Sequence, residues 1–156
     1  MAGHTENSIV IDAPFQFVWD MTNDVANWTN LFTEYKSAEI LESTADTVTF
    51  RLTMHADENG IEWSWVSQRK VDVANREVHA HRVETGPFEY MLIHWIYSTE
   101  ADGSVRMTWI QDFRMKPTAP VNDQQMADRL NHNSPIQLNV IKQKIEAAAR
   151  PSVAAR

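Results

Sequence analysis

The chain holds 156 residues, 43% hydrophobic and 22% charged, which allows one domain and excludes disorder. Its 21 acidic and 14 basic residues give a net charge of −7, which argues against nucleic acid as the partner. With no cysteine there is no disulfide, thiol nucleophile or thiolate metal site, and with neither a secretion signal nor an apolar run near the roughly 20 residues that span a bilayer, a cytoplasmic protein is expected.

A first strand is expected at Asn7–Asp12, apolar and β-branched at Ile9, Val10 and Ile11. Ala13-Pro14 starts a short helix, with the proline early where its missing N–H costs nothing, and Phe15, Val18 and Trp19 form its apolar stripe. Asn23-Asp24 reads as the cap of a second short helix carrying Trp28, Leu31 and Phe32. The period then switches to two, predicting strands over Lys36–Glu42, Thr47–His55, Ile61–Asp72, Glu77–Glu84, Phe88–Thr99 and Ser104–Arg114. A long helix follows over Asn122–Ala149, with Met126, Leu130, Gln137, Leu138, Ile141 and Ile145 near one face. Residues 1–150 are expected to form one α+β domain, with a tail at 151–156 that frays. The antiparallel sheet must cover its apolar face and is expected to wrap around the last helix.

Strand parity carries the chemistry. One face of Ile61–Asp72 reads Ile61, Trp63, Trp65, Ser67, Arg69 and Val71, and its two tryptophans mark it as the inner one. Arg69 therefore points inward, where a guanidinium needs a partner, hydrogen bonds or a wet cavity. A structural ion pair with an inward carboxylate is the alternative. In the next strand Val78, Ala80 and Arg82 share a parity, and if the apolar pair faces in, Arg82 is a second inner arginine. Gln111 lies inward with Met107 and Trp109 on the last strand, while Phe88–Thr99 is apolar on both faces and cannot be assigned by pattern. A few polar groups among many aromatics describe a ligand pocket. Pro135 inside the long helix either merely bends it or opens the pocket mouth so that Asn133 and Gln137 reach in. His79 and His81 lie two apart on the solvent face with no carboxylate or third histidine evident beside them, so no metal site is expected. No nucleotide or nucleophile motif occurs, and no organic cofactor is expected either.

The runs Asn7-Ser8-Ile9-Val10, Thr22-Asn23-Asp24, Leu31-Phe32-x-Glu34-Tyr35, Trp65-Val66-Ser67-x-Arg69, Arg82-Val83-Glu84-Thr85-Gly86-Pro87-Phe88 and Met115-Lys116-Pro117 resemble the single-domain aromatase/cyclases of bacterial aromatic (type II) polyketide synthases. The resemblance runs from about residue 3 to about 146, and the Arg82–Phe88 run is its most specific part. Ser134-Pro135-Ile136 departs from the family pattern. The implied fold is the helix-grip (START/Bet v 1-like) one, a seven-stranded antiparallel sheet curled around a long C-terminal helix with a cavity between them. The resemblance places Trp28, Phe32, Tyr35, Trp65, Ser67, Arg69, Arg82, Phe88, Met91 and Trp95 in the pocket, and this implies a local irregularity in the Phe88–Thr99 strand. It implies first-ring closure between carbons nine and fourteen of a poly-β-ketone, followed by dehydration to an aromatic ring. Arg69 and Tyr35 are the implied catalytic pair, the arginine stabilising an alkoxide and the tyrosine moving a proton, its pKa lowered by the neighbouring cation. The implied partners are an acyl carrier protein that tethers the chain and the other synthase subunits, the protein itself being monomeric. Carrier contact is expected through a local basic patch at the pocket mouth. A non-catalytic binder of a lipid- or isoprenoid-like ligand is the alternative, although two inner arginines suit an oxygen-rich ligand better.

Overall fold

The computed structural model describes residues 2–149; the tail expected at 151–156 lies outside them. Strand β1 (Gly3–Ile11) leads to helix α1 (Phe15–Asn23), a 3₁₀ turn (Val25–Asn27) and the single-turn helix α2 (Trp28–Leu31). Six strands follow: β2 (Tyr35–Ser43), β3 (Thr47–Met54), β4 (Ser64–Asp72), β5 (Glu77–Arg82), β6 (Phe88–Thr99) and β7 (Val105–Met115). Helix α3 (Asp123–Ala149) closes the chain. The sheet has seven strands in the order β1-β7-β6-β5-β4-β3-β2, every neighbouring pair antiparallel. The expected α+β helix-grip arrangement is the one observed.

The first strand begins four residues before the expected start at Asn7, because His4-Thr5-Glu6 pair with β7 while alternating out, in, out. Gly3 starts it where a Cβ would stand 2.2 Å from the Phe113 ring, so no larger residue fits. Ile61 and Trp63, expected inside β4, lie outside it. The Asp57 carboxylate accepts from the backbone N–H of Asn59 and Ile61 and from Trp63 Nε1, at 2.8, 3.0 and 3.0 Å, and this fastens the segment as a loop. Asn23 does not cap the second helix either. It is the last residue of α1, and its side chain is turned to other work described below. Pro14 precedes α1 as its extended N-cap rather than entering the helix.

The end of the molecule below the cavity is a solid core. Ile11, Val18, Val105, Met107, Ile141 and Ile145 are fully buried there, each contributing about 1.5–3 kcal/mol by leaving water. Lys142 Nζ on α3 donates to the Val10 carbonyl and to Glu146, whose carboxylate also accepts from the Asp12 N–H; these bonds fasten α3 across the end of β1. Pro135 sits inside an otherwise continuous α3, and the helix face it shares with the sheet carries buried Ser134 and Gln137 beside Leu138. Edge strand β2 is mostly exposed and carries two register shifts, which discourage pairing with a further strand.

Candidate active site

Between the concave sheet face and α3 lies a cavity of about 520 Å³, the size of a small-molecule site. Trp28, Phe32 and Tyr35 reach it from α2 and the start of β2, and Trp65, Ser67 and Arg69 from β4. Arg82, Phe88, Met91, Trp95 and Gln111 border it from β5, β6 and β7, with Asn133 and Gln137 on α3 and Trp63 from its loop. The undecided parity of β6 is resolved by a register shift between Phe88 and Tyr90, which turns Phe88, Met91 and Trp95 all inward and leaves Tyr90 out.

Arg69 is 3% exposed and has no carboxylate partner among the described residues. Asn23 Oδ1 accepts from its Nε at 3.2 Å and its Nη2 at 2.9 Å, and the Thr22 carbonyl accepts from Nη2 at 3.4 Å. The Nη1 protons are not used by these bonds. The guanidinium lies 5.1 Å from the Trp28 ring centroid and 5.8 Å from that of Trp95. Thr22 gives its one hydroxyl proton to the Val18 carbonyl at 2.8 Å, so Tyr97, 2.7 Å from Thr22 Oγ1, donates to it and turns its lone pairs toward Arg69. Burial lowers the pKa of Arg69, and the facing Tyr97 oxygen opposes that shift.

Arg82 is held differently. Its guanidinium lies 4.0 Å from the Trp65 ring and 4.5 Å from Phe88, and its Nε is buried without a partner. Burial brings its pKa down to about 10. Trp109 Nε1 is likewise buried and unpartnered, and both residues border the cavity. Buried polar groups rarely stay unsatisfied, and among the described residues these two donors at the cavity have no acceptor.

Tyr35 corrects its expectation. Its pKa stands well above 10, because burial and the adjacent Glu34 carboxylate outweigh Arg82 and Arg69. The phenol therefore stays protonated and serves as a donor. Glu34 belongs to the run Leu31-Phe32-x-Glu34-Tyr35, and the resemblance implies no role for it. It lines the cavity beside the Tyr35 hydroxyl, and burial raises its carboxyl above the ordinary 4.5. It lies in the short loop between α2 and β2, where no periodicity marks the direction of a side chain.

The α3 side is less open than expected. Gln137 accepts from the Thr33 N–H at 3.0 Å and donates to Thr33 Oγ1 at 2.9 Å, so both ends of its amide are committed to the α2–β2 loop. Gln111 donates to Ser134 Oγ at 3.3 Å across the cavity floor. At the mouth, Arg129 and His132 stand with Asp57 and Glu58. The expected basic patch is thus of mixed sign.

A single sheet gripping a long helix around a chamber is a START-like architecture, and the solved structures agree. The Zhui aromatase/cyclase of Streptomyces sp. R1128 superposes with a TM-score of 0.85 at 22% identity, over 97% of this chain and 98% of that one. A START superfamily protein of Mycobacterium smegmatis follows at 0.75 and 13% identity, over 93% and 98%. At these identities the likeness speaks for the fold. The chain itself belongs to the family described as polyketide cyclase / dehydrase and lipid transport, whose model matches residues 11–132. It is 60% identical over 146 residues to a protein of Streptomyces cyaneus named "Putative polyketide cyclase", covering 94% of this chain and 95% of that one. A protein of the same name from Streptomyces halstedii is 63% identical over 110 residues, 70% of this chain and all of that one. No helix of the described residues is long and apolar enough to cross a membrane.

Proposed function

We propose that the protein receives a poly-β-ketone as an acyl-carrier thioester, closes its first ring between carbons nine and fourteen by an intramolecular aldol reaction, and dehydrates that ring to an aromatic. The observation that carries this reading is Arg69, a fully buried cation anchored by neutral acceptors in an aromatic chamber. Such a group polarises a ketone and stabilises the alkoxide that forms from it. It stays protonated and so is no base.

The methylene between two carbonyls is already acidic, and most of the barrier lies in holding a floppy chain bent, which orientation can lower by roughly 7–11 kcal/mol. The walls at Trp28, Phe32, Trp65 and Trp95 supply that constraint. Glu34 takes the methylene proton, the new carbon–carbon bond forms, and the electron pair of the ketone moves onto its oxygen beside Arg69. Tyr35 hydrogen-bonds to that oxygen, and the proton held by Glu34 is returned to it, giving the β-hydroxy ketone and restoring the carboxylate. Glu34 then takes a second α-proton and delivers it to the hydroxyl, which leaves as water as the double bond forms, and enolisation of the remaining ring ketones completes the aromatic ring. A carboxyl with a raised pKa suits this exchange, since an efficient base titrates near working pH.

Reconstituting a minimal synthase with and without the protein tests the reading. The mixture of spontaneous shunt products should collapse to one ring-closed product. An unchanged mixture, together with saturable binding of fatty acids, would favour a lipid carrier instead. Contact with the carrier protein is expected to be weak and salt-sensitive, visible as fast exchange when labelled carrier is titrated in.

A further inference from the structure

On the face of the sheet turned away from the cavity, β5 and β6 bring together three groups, two from β5 and one from β6. His79 and His94 are direct register partners, with their rings stacked 4.2 Å apart at 19°. Glu77 Oε1 lies 2.5 Å from His94 Nε2 and 3.8 Å from His79 Nε2. The three candidate donor atoms all fall within 4.8 Å of one another. The histidine pair at 79 and 81 thus gives way to a cross-strand pair with a carboxylate, and the expectation that no third ligand stood near His79 is corrected.

A structural ion pair accounts for only half of this arrangement. The carboxylate accepts from His94 at 2.5 Å, while 3.8 Å to His79 is no hydrogen bond. Two protonated imidazoles stacked at 4.2 Å would also repel. Both rings instead turn Nε2 toward the same carboxylate oxygen, the atoms through which an imidazole ligates a metal. The surroundings suit a cation. On β4, Asp72 stands opposite Glu77 and Lys70 opposite His79, so the carboxylates outnumber the single ammonium, and β7 presents only apolar Ile110 opposite His94. The side chains of Glu77 and His94 are 31% and 29% exposed and that of His79 is 62% exposed, so the most mobile ligand is the outermost and the approach from solvent is open.

We infer that Glu77, His79 and His94 form a binding site for a divalent transition metal of the zinc class. Two imidazoles and one carboxylate select zinc, cobalt, nickel or copper over calcium or magnesium. Bonds of about 2.0–2.2 Å require His79 to swing inward, as an exposed side chain can. The ion would clasp β5 to β6 behind the cavity wall, because Val78 and Trp95, the chain neighbours of these ligands, face inward as register partners. Its effect falls on the stability of that wall, and the chemistry on the other side needs no metal.

The test uses tag-free protein stripped with EDTA and titrated with cobalt, followed by visible absorption, with zinc in competition. One equivalent should saturate, zinc should displace it, and zinc should raise the melting temperature while the product distribution stays unchanged. His79→Ala and His94→Ala, checked for folding by circular dichroism, should each weaken binding by about tenfold or more, the scale on which even outer-shell losses are felt. His81→Ala, exposed on the same strand outside the cluster, should bind as the wild type. Stoichiometric binding that survives in the His79→Ala/His94→Ala double variant, or the absence of a saturable cobalt spectrum in the wild type, would overturn the site.

Discussion

The cavity has two cationic regions, and they are built on opposite plans. Around Arg69 the polar contacts are all acceptors, the Asn23 amide oxygen, the Thr22 carbonyl and the facing Tyr97 oxygen, with the Trp28 and Trp95 rings farther off at 5.1 and 5.8 Å. Around Arg82 the contacts are aromatic faces, and Nε has no acceptor. The first guanidinium is oriented before any ligand arrives, whereas the second has its charge offset by ring quadrupoles and obtains its hydrogen bonds from the ligand. Orientation before reaction is what electrostatic catalysis requires, and an unfilled donor is what recognition requires. On the proposed mechanism the two arginines, alike in the sequence as inward strand residues, therefore take different roles, one in catalysis and one in binding.

The sharpest way to break that division is Arg69→Ala. The correctly closed ring should form about 10²–10³ slower, the cost of one lost oxyanion donor, in a variant shown to be folded. Arg69→Lys keeps the charge but has no planar fork for Asn23 and Thr22 to hold, so it should recover only part of the rate. A wild-type yield from Arg69→Ala would mean that shape alone directs the chain.

The next largest effect belongs to Glu34. Glu34→Gln should slow ring closure by about 10²-fold, at the lower end of what a positioned base supplies. Only the carboxylate accepts a proton, and burial raises its pKa above 4.5, so the rate should fall on acidification with a midpoint displaced upward from that value. The variant should lack that limb. Stability should move the opposite way: the folded chain binds this proton more tightly than the unfolded one, so the wild type loses stability as pH rises from 4.5 through the raised value. Tyr35→Phe should slow closure while keeping the product ratio closer to wild type than Trp65→Ala, because the ring that shapes the wall remains. A pH–rate profile unchanged in Glu34→Gln would remove Glu34 from the mechanism.

How much of this was legible before the structure depends on the periodicity of each segment. Where a strand alternates, side-chain direction follows from parity, and Ser67, Arg69, Arg82 and Gln111 were placed inward on that basis alone. Where the ladder is irregular, parity fails. Phe88 and Met91 share a face only because of the register shift between Phe88 and Tyr90, which the family resemblance implied and the apolar run did not. Trp63 reaches the cavity through a loop held by Asp57, outside the strand on which its direction was argued. Long-range partners left no local trace: Asn23 reads as a helix cap until Arg69, far along the chain, claims its oxygen. The sign of the Tyr35 shift likewise depended on burial and on Glu34, neither of which a neighbouring cation reveals.

Asn23 offers a smaller and more selective test of the first region. Asn23→Ala removes the acceptor of two Arg69 bonds without touching the cavity charge. It should cost roughly tenfold, within the range that misplacement of a reacting group imposes. The loss should appear in the rate of ring closure rather than in ligand affinity, and Asn23→Asp, which regains the acceptor but offsets the Arg69 charge, should restore the rate only in part. An effect on affinity alone would assign Asn23 to binding and blur the contrast between the two arginines.

Arg82 gives the smallest effect on rate and the most telling sign. A base whose pKa is depressed from the ordinary arginine value to about 10 is held in the fold against its preference for charge, so the unfolded chain binds more protons between those two values. Stability should therefore rise with pH across that window, and at neutral pH the charge is a net cost that Trp65 and Phe88 offset in part. Arg82→Met fills similar space without charge, and replacing a poorly satisfied buried ion by an apolar group is often neutral or stabilising. The variant should melt at or above the wild-type temperature, lose the rise in stability above pH 10, and bind a diketone analogue more weakly with only a modest fall in the rate of the bound chain. Arg69→Met should do the reverse, because it strands the Asn23 and Thr22 oxygens. If both substitutions destabilise the protein equally, Arg82 is as firmly satisfied as Arg69, and the separation of the two regions into catalysis and recognition fails.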